Sequence, residues 1–157
     1  MDRGPEGKPT GGKGLKLKFL FGGREKADLF QEGIEDYLSR IKRDFPVAVL
    51  FGKKGEQIAK FLNHLPHGGY LIGLAEDGKG LTSLEFAQLL ERLIQRGAKE
   101  VIFLVGGADG LEPSWREKCD TLLSLSPLTF NHQLARLILL EQVYRALSII
   151  QKRPYHR

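Results

Sequence analysis

The chain has 157 residues, 41% of them hydrophobic and 27% charged, the composition of one globular domain with an ordinary core. A formal net charge of +5 and a pI of about 9.4 favour a polyanionic partner. The single cysteine, Cys119, excludes an internal disulfide and a cysteine-based zinc centre and fits a reducing cytoplasm, and no apolar run approaches the roughly 20 residues of a membrane span.

Residues 1–14 are rich in Gly, Pro and Lys and lack the apolar core of a signal peptide, so they read as a disordered extension before one domain, 15–157. Leu15 to Phe21 reads as a strand broken by Gly22-Gly23. Lys26 to Asp44 carries apolar residues at helical spacing and stops before Pro46. Val47 to Phe51 is expected to be a short buried strand, Glu56 to Leu65 a helix, and Tyr70 to Ala75 a strand that ends in an acidic, glycine-rich loop over 76–80. Thr82 and Glu85 have the spacing of a capping box, in which each side chain satisfies a free backbone N–H at the start of a helix. That helix runs to Arg96 and stops at Gly97.

Val101 to Val105 is five apolar residues in a row, as expected of a strand covered by helices on both faces. It leads into Gly106-Gly107-Ala108-Asp109-Gly110 and a short helix with Pro113 in its first turn. Thr121 to Leu125 is the last strand, and Asn131 is placed to cap a final helix, His132 to Ile150. Alternating strands and helices imply an α/β fold with a largely parallel sheet. The final helix is apolar over more than half its circumference. It is either central in one subunit or packed against a second copy, and in so short a chain the symmetric dimer is the expectation.

Several motifs are near misses. Gly73 to Gly80 approaches a phosphate loop, but Gly80 replaces the magnesium-holding hydroxyl and Glu76 and Asp77 would repel phosphate, so a nucleotide triphosphatase is excluded. Gly106-Gly107 is no dinucleotide fingerprint. It is either a tight turn or a loop that lets a ligand approach the carboxyl end of the sheet. Ser124 to Asn131 is a second such loop, either a plain connection or one able to enclose an adenine. His64 and His67 have no third metal ligand and read as loop residues; no metal site is expected. Glu35-Asp36 reads as a solvated helix face, and Cys119 as a thiol buried in or near a short helix rather than a nucleophile. His132 and Arg136 lie one turn apart on one helix face, either as surface charge or as an anion site. The ending Tyr155-His156-Arg157, after Lys152 and Arg153, combines a stacking ring, a titratable ring and a phosphate-binding fork.

Four stretches, in this order and spacing, carry a family resemblance: Phe103-Leu-Val-Gly-Gly-Ala-Asp-Gly-Leu111, Ser124-Leu-Ser-Pro-Leu-Thr129, Leu-Glu-Gln-Val-Tyr-Arg-Ala from Leu140, and the terminal Pro-Tyr-His-Arg. From about Leu15 onward the chain resembles ribosomal RNA large subunit methyltransferase H, a SPOUT-class family. The resemblance implies a SPOUT-type, largely parallel sheet with helices on both faces and a C-terminal deep trefoil knot. It implies a cytoplasmic homodimer that methylates N3 of a pseudouridine in 23S rRNA of the large subunit or the assembled ribosome, using S-adenosyl-L-methionine. Cofactor binding then falls to Leu74, Gly106, Leu125, Ser126, Pro127, Leu128, Thr129 and Phe130. The substrate side and chemistry fall to His132, Arg136, Tyr155, His156 and Arg157. His156 or His132 is expected to serve as base or to orient the pseudouridine. Arg136, Arg153 and Arg157 are expected to hold phosphates or to stabilise the developing imide anion, and Tyr155 to stack on a base. Ala108-Asp109 and Phe130-Asn131 depart from the Pro-Glu and Leu-Pro usual in the family. The competing readings are a SPOUT enzyme acting on another RNA and a non-catalytic RNA-binding or ribosome-associated module.

Overall fold

In the computed structural model the described residues are 14–23, 30–52 and 56–157. All but Gly14 of the expected N-terminal extension, and the first residues of the helix expected from Lys26, lie outside them. The strands are β1 (Lys16–Gly22), β2 (Val47–Gly52), β3 (Gly69–Gly80), β4 (Glu100–Val105) and β5 (Thr121–Ser124). They form one parallel sheet in the order β2-β1-β4-β3-β5. The helices are α1 (Gln31–Lys42), α2 (Glu56–Asn63), α3 (Ser83–Gln95), α4 (Pro113–Arg116) and α5 (His132–Ile150).

Strand periodicity divides the interior into two cores. Phe19, Phe21, Val101, Phe103 and Val105 face one side and pack with residues of α1, α3 and α5. Leu20, Ile102 and Leu104 face the other and meet Ile58 and Leu62 of α2 and Trp115 of α4. Every residue of β4 is buried, as its apolar run requires. The sheet is therefore covered on both faces, the architecture expected from the alternation of elements. The capping box at Thr82 and Glu85 is present in both directions. Gly97 follows α3 with φ +79, a backbone state that favours glycine.

Two expectations need correction. β2 is an edge strand, so Val47 to Phe51 are half-buried rather than buried. The acidic stretch after Ala75 is not a free loop. β3 leaves register between Leu74 and Lys79, then resumes pairing with β5 at Lys79 and Gly80. Helix α5 lies between α1 and α3, and none of its nineteen residues is fully exposed. Leu139, Leu140, Val143, Ala146 and Leu147 are buried there, while Leu134, Leu137, Ile138, Tyr144, Ile149 and Ile150 are half-buried and keep apolar surface available to a second copy.

Candidate active site

Three chain segments converge where β3, β4 and β5 end. In the irregular part of β3, Gly78 passes over β5 so closely that an added Cβ would stand 2.7 Å from the carbonyl carbon and oxygen of Leu122. β4 runs into the 106–110 turn, where Gly110 N–H donates to the Gly107 carbonyl at 3.0 Å. A Cβ on Gly106 would overlap the backbone of Gly110 and stand 2.8 Å from Leu111 N, so only glycine closes this turn. After β5, Ser124 Oγ donates to the Ser126 carbonyl at 3.0 Å, and Leu128 N–H donates to Ser126 Oγ at 2.9 Å. The loop thus holds its own shape before Asn131 accepts from Gln133 N–H and starts α5.

These segments enclose a cavity of about 380 Å³, within the range of small-molecule sites. Leu74, Gly106, Leu125, Ser126, Leu128 and Phe130 line it, and so do His132 and Ala135 from the first turn of α5. Of the residues expected to bind a cofactor, Pro127 and Thr129 belong to the loop without lining the cavity. Leu128 is 72% exposed, an apolar side chain left bare at the site. The walls are about equally polar and apolar, with three carboxylates among them, and they would suit a flat heteroaromatic ring better than a phosphate.

His132 and Arg136 come together as expected, but not as surface charge. Both approach Gly23 at the end of β1, where a Cβ would stand 3.3 Å from Arg136 Nη2 and 3.4 Å from His132 Nε2. Arg136 is 0% exposed. Its Nη2 donates to the Gly22 carbonyl at 2.6 Å, and its guanidinium lies over the rings of Phe21 and Phe51 at 5.1 and 5.4 Å. Its Nε and Nη1 meet no acceptor, and among the described residues no carboxylate pairs with it. Burial pulls the Arg136 pKa below its ordinary value. Burial, and then the Arg136 charge, hold His132 below the usual histidine value. His132 is thereby kept neutral near pH 7, with a lone pair free for a proton.

The tail lies elsewhere in the subunit. It follows the other end of α5, a helix of 19 residues and thus about 28 Å long. Lys152 at φ 59 turns the chain back, and Arg153 N–H donates to the Ser148 carbonyl. Arg153 forks to Asp44 at 3.1 and 2.8 Å. Tyr155 O–H donates to Glu141 at 2.8 Å, so the 3.0 Å bond between Tyr37 and Tyr155 hydroxyls must be donated by Tyr37. The Tyr155 ring stands edge-on to Tyr144 with centroids 4.8 Å apart, and Arg145 covers it. Burial and these bonds to Tyr37 and Glu141 push the Tyr155 pKa up. Arginine can only donate, so at 3.1 Å from Arg145 Nη1 the His156 Nδ1 accepts and the ring proton sits on Nε2. Arg157 is exposed. The terminus is thus a built structure rather than a frayed end, yet within one subunit it does not meet His132.

The discounted motifs behave as residues of the scaffold. His64 and His67 are exposed, and the described residues hold no cluster able to bind a metal. Glu35 and Asp36 are exposed on α1. Cys119 donates to the Trp115 carbonyl at 3.4 Å, and burial, then Asp120, push its thiol up to about 11.

A sequence model described as "Predicted SPOUT methyltransferase" matches residues 15–156. A relative from Thermus thermophilus named "Ribosomal RNA large subunit methyltransferase H" is 40% identical, over 91% of this chain and 99% of that protein. Proteins of the same name from Dechloromonas aromatica and Citrifermentans bemidjiense are 37% and 36% identical, over 91% and 90% of this chain and 99% of each. The chain belongs to the SPOUT methyltransferases, in the ribosomal RNA large subunit methyltransferase H family.

In this SPOUT methyltransferase the Leu140–Ala146 stretch has a visible task, because its Glu141 and Arg145 are the residues that grip Tyr155 and His156. Sequence reading missed Tyr37 and Asp44, which hold the tail from α1 and the turn after it. It also missed Arg116 and Asp77, which line the cavity. Those partners are 39 to 118 positions apart in the chain, beyond the reach of any local pattern.

Proposed function

We propose that the protein is a cytoplasmic, S-adenosyl-L-methionine-dependent methyltransferase that methylates N3 of a pseudouridine in 23S rRNA of the large subunit or assembled ribosome. The observation that carries this reading is the open cavity beside three parallel strands with a neutral His132 on its wall, in a chain of this family. The cofactor fits it on the chemistry of the walls. Leu128 offers an uncovered apolar surface for the adenine, and the 125–130 backbone has amides and carbonyls for its edge. When bound, the cofactor supplies a methyl group already activated on a sulfonium. The close crossing of Gly78 over β5 supports reading the C-terminal part as the trefoil knot of the family.

The chain's own residues handle the proton. N3 of pseudouridine is a weakly acidic imide nitrogen and must lose its proton near the moment of attack. His132, neutral and beside the cavity, is the base. Arg136 acts through it, keeping the ring deprotonated and fixing its place beside Gly22 and Gly23. His156 presents an N–H rather than a lone pair, so it orients the base by donating to one of its carbonyls. Arg157 and the remaining basic surface hold phosphates. Tyr155, with its ring packed inward, positions the tail instead of stacking on a base. The site is completed by a homodimer: a second copy brings its tail to the His132 end of α5, which the tail of the same subunit, folded back against Glu141 and Arg145, does not reach.

The reading is tested by calorimetric titration with S-adenosyl-L-methionine, then by methylation of 23S rRNA lacking the modification, as free RNA, subunit and ribosome, with mass mapping of the product. The expected product carries one added methyl on one pseudouridine. A variant lacking Tyr155 to Arg157 is expected to bind the cofactor and transfer nothing. Cofactor uptake with a methyl on another nucleotide refutes the substrate, no uptake refutes the enzyme, and full activity without the tail refutes its role.

A further inference from the structure

The cavity wall holds three carboxylates, Glu76, Asp77 and Asp109, against one cationic side chain of the Lys or Arg type, Arg116. Arg116 ends α4 and reaches across to Asp77 in the part of β3 that leaves register, forking to it at 3.2 and 3.0 Å. The pair thereby ties the β3 wall to the wall that follows the glycine turn. It does little for the fold, because the side chains are 35% and 71% exposed and exposed ion pairs contribute little to stability. Hydrogen bonds from Arg116, and then its charge, hold the Asp77 carboxyl below its ordinary value. The cavity therefore keeps an ion pair at its mouth that costs little to open, beside an otherwise half-apolar interior.

We infer that Asp77 and Arg116 are the receptor for the amino-acid end of the methyl donor: the Arg116 fork passes from Asp77 to the ligand's α-carboxylate, and Asp77 takes the α-ammonium. The exchange replaces one ion pair by two, conserves charge, and needs only a swing of two exposed side chains. A carboxylate entering this cavity has no other arginine or lysine to meet among the described lining residues, and three carboxylates would otherwise repel it. The spacing suits the ligand chemistry, since ammonium and carboxylate sit on one carbon and the paired side chains are within hydrogen-bond distance of each other. The inference rests on the cavity being the cofactor site and adds the residues that choose between cofactors with and without the amino-acid end.

The test compares two ligands by calorimetry on the full-length protein: S-adenosylhomocysteine, which carries the amino-acid end, and 5′-methylthioadenosine, which lacks it. Loss of a charge-assisted fork corresponds to roughly 10- to 100-fold in affinity. Arg116→Met is expected to weaken S-adenosylhomocysteine by that factor and to leave methylthioadenosine within about twofold, which also reports an intact adenosine pocket. Asp77→Asn is expected to show the same selectivity with a smaller loss, because its amide oxygen still accepts from the ammonium. Equal losses for both ligands, or none for either, overturn the inference while leaving the cavity's function in place. Failure of both ligands to bind the wild type overturns the cofactor site and the inference together.

Discussion

Replacing Arg136 by Met is expected to raise stability while lowering activity. In the wild type the guanidinium has one strong bond, from Nη2 to the Gly22 carbonyl, and the faces of Phe21 and Phe51. Losing a charge-assisted hydrogen bond costs about 1.5–3 kcal/mol. The two ring contacts together contribute about 2 kcal/mol. On the other side, Nε and Nη1 are buried donors without acceptors, each costing about 1–3 kcal/mol. The charge itself carries a desolvation penalty of several kcal/mol that no carboxylate among the described residues offsets. Met keeps most of the apolar stem and removes both penalties, so the balance favours the variant by about 1–2 kcal/mol. For a domain of this size that is a rise of about 2–6 °C in Tm. Arg136→Ala removes the stem as well and is expected to melt below the wild type. Differential scanning calorimetry of the three proteins decides. A Met variant that melts several degrees lower refutes the claim that Arg136 is an uncompensated buried cation.

The same substitution has a kinetic signature. His132 is lowered first by burial and second by Arg136, so removing that charge lets its pKa move back toward the ordinary value. The base form acts above its pKa, and activity therefore falls as pH drops through it. In the wild type this acid limb lies below the usual histidine value of about 6.5, and in Arg136→Met it shifts upward. For stability the sign runs with pH in the same sense. The unfolded chain takes up the proton first as pH falls, so the His132 contribution is full above about 6.5 and declines below it. Single-turnover methylation between pH 5 and 8 measures the limb. An acid limb in the same place in both proteins removes His132 as the base.

Gly106→Ala is expected to abolish S-adenosylhomocysteine binding in calorimetry, because the new Cβ collides with backbone at Gly110 and Leu111. Gly97→Ala, at a left-handed residue with open space around it, is expected to cost about 1–2 kcal/mol of stability in thermal unfolding and to leave binding intact. Tyr155→Phe removes a hydroxyl that links Tyr37 to Glu141, and is expected to lower stability by about 1–3 kcal/mol in urea unfolding and to loosen the tail. Cys119, pushed up to about 11, should react with iodoacetamide far more slowly at pH 8 than a free thiol does, as followed by intact mass. Rapid labelling in the folded protein would contradict its half-buried place against Trp115.

The elements that sequence reading placed best have local causes. The five apolar residues from Val101 could only be a strand covered twice, and Thr82 with Glu85 wrote the start of α3 in a span of four residues. Asn131 set the start of α5 for the same reason. What escaped has a non-local cause. Residues 76–80 look like a loop because Glu, Asp and Gly are poor strand formers, yet Lys79 and Gly80 pair with β5, a partner more than forty positions away. The burial of Arg136 was equally hidden. An arginine at the first turn of a helix reads as surface charge, and only the meeting of β1, β2 and α5 surrounds it with Phe21, Phe51 and Gly22. The site loops were legible as glycine- and proline-bearing breaks after strands, but their convergence depended on which strands lie side by side.

The two rings proposed to act on the pseudouridine lie apart along α5, and each is prepared by a different means. At the N-terminal end, burial and a neighbouring cation keep His132 neutral. Beside the tail, Glu141 at the middle of α5 does the organising. Burial pushes its carboxyl up, but hydrogen bonds from Arg145 and Tyr155 prevail and hold it below its ordinary value. It stays ionised, anchors Arg145 at 2.6 Å, and through that side chain fixes which nitrogen of His156 carries the proton. One ring is thus set to accept a proton and the other to donate a hydrogen bond. In a single subunit about 20 Å of α5 separates His132 from Arg145, the side chain that holds His156, which is the physical reason to expect the active unit to be a dimer. Mixing a tail-deleted protein with a His132→Ala protein tests this directly. Each is expected to be inactive alone, and the mixed dimer is expected to recover one intact site, about half the wild-type activity per dimer. Absence of any recovery after subunit exchange has been verified would mean that His132 and the tail serve the same subunit.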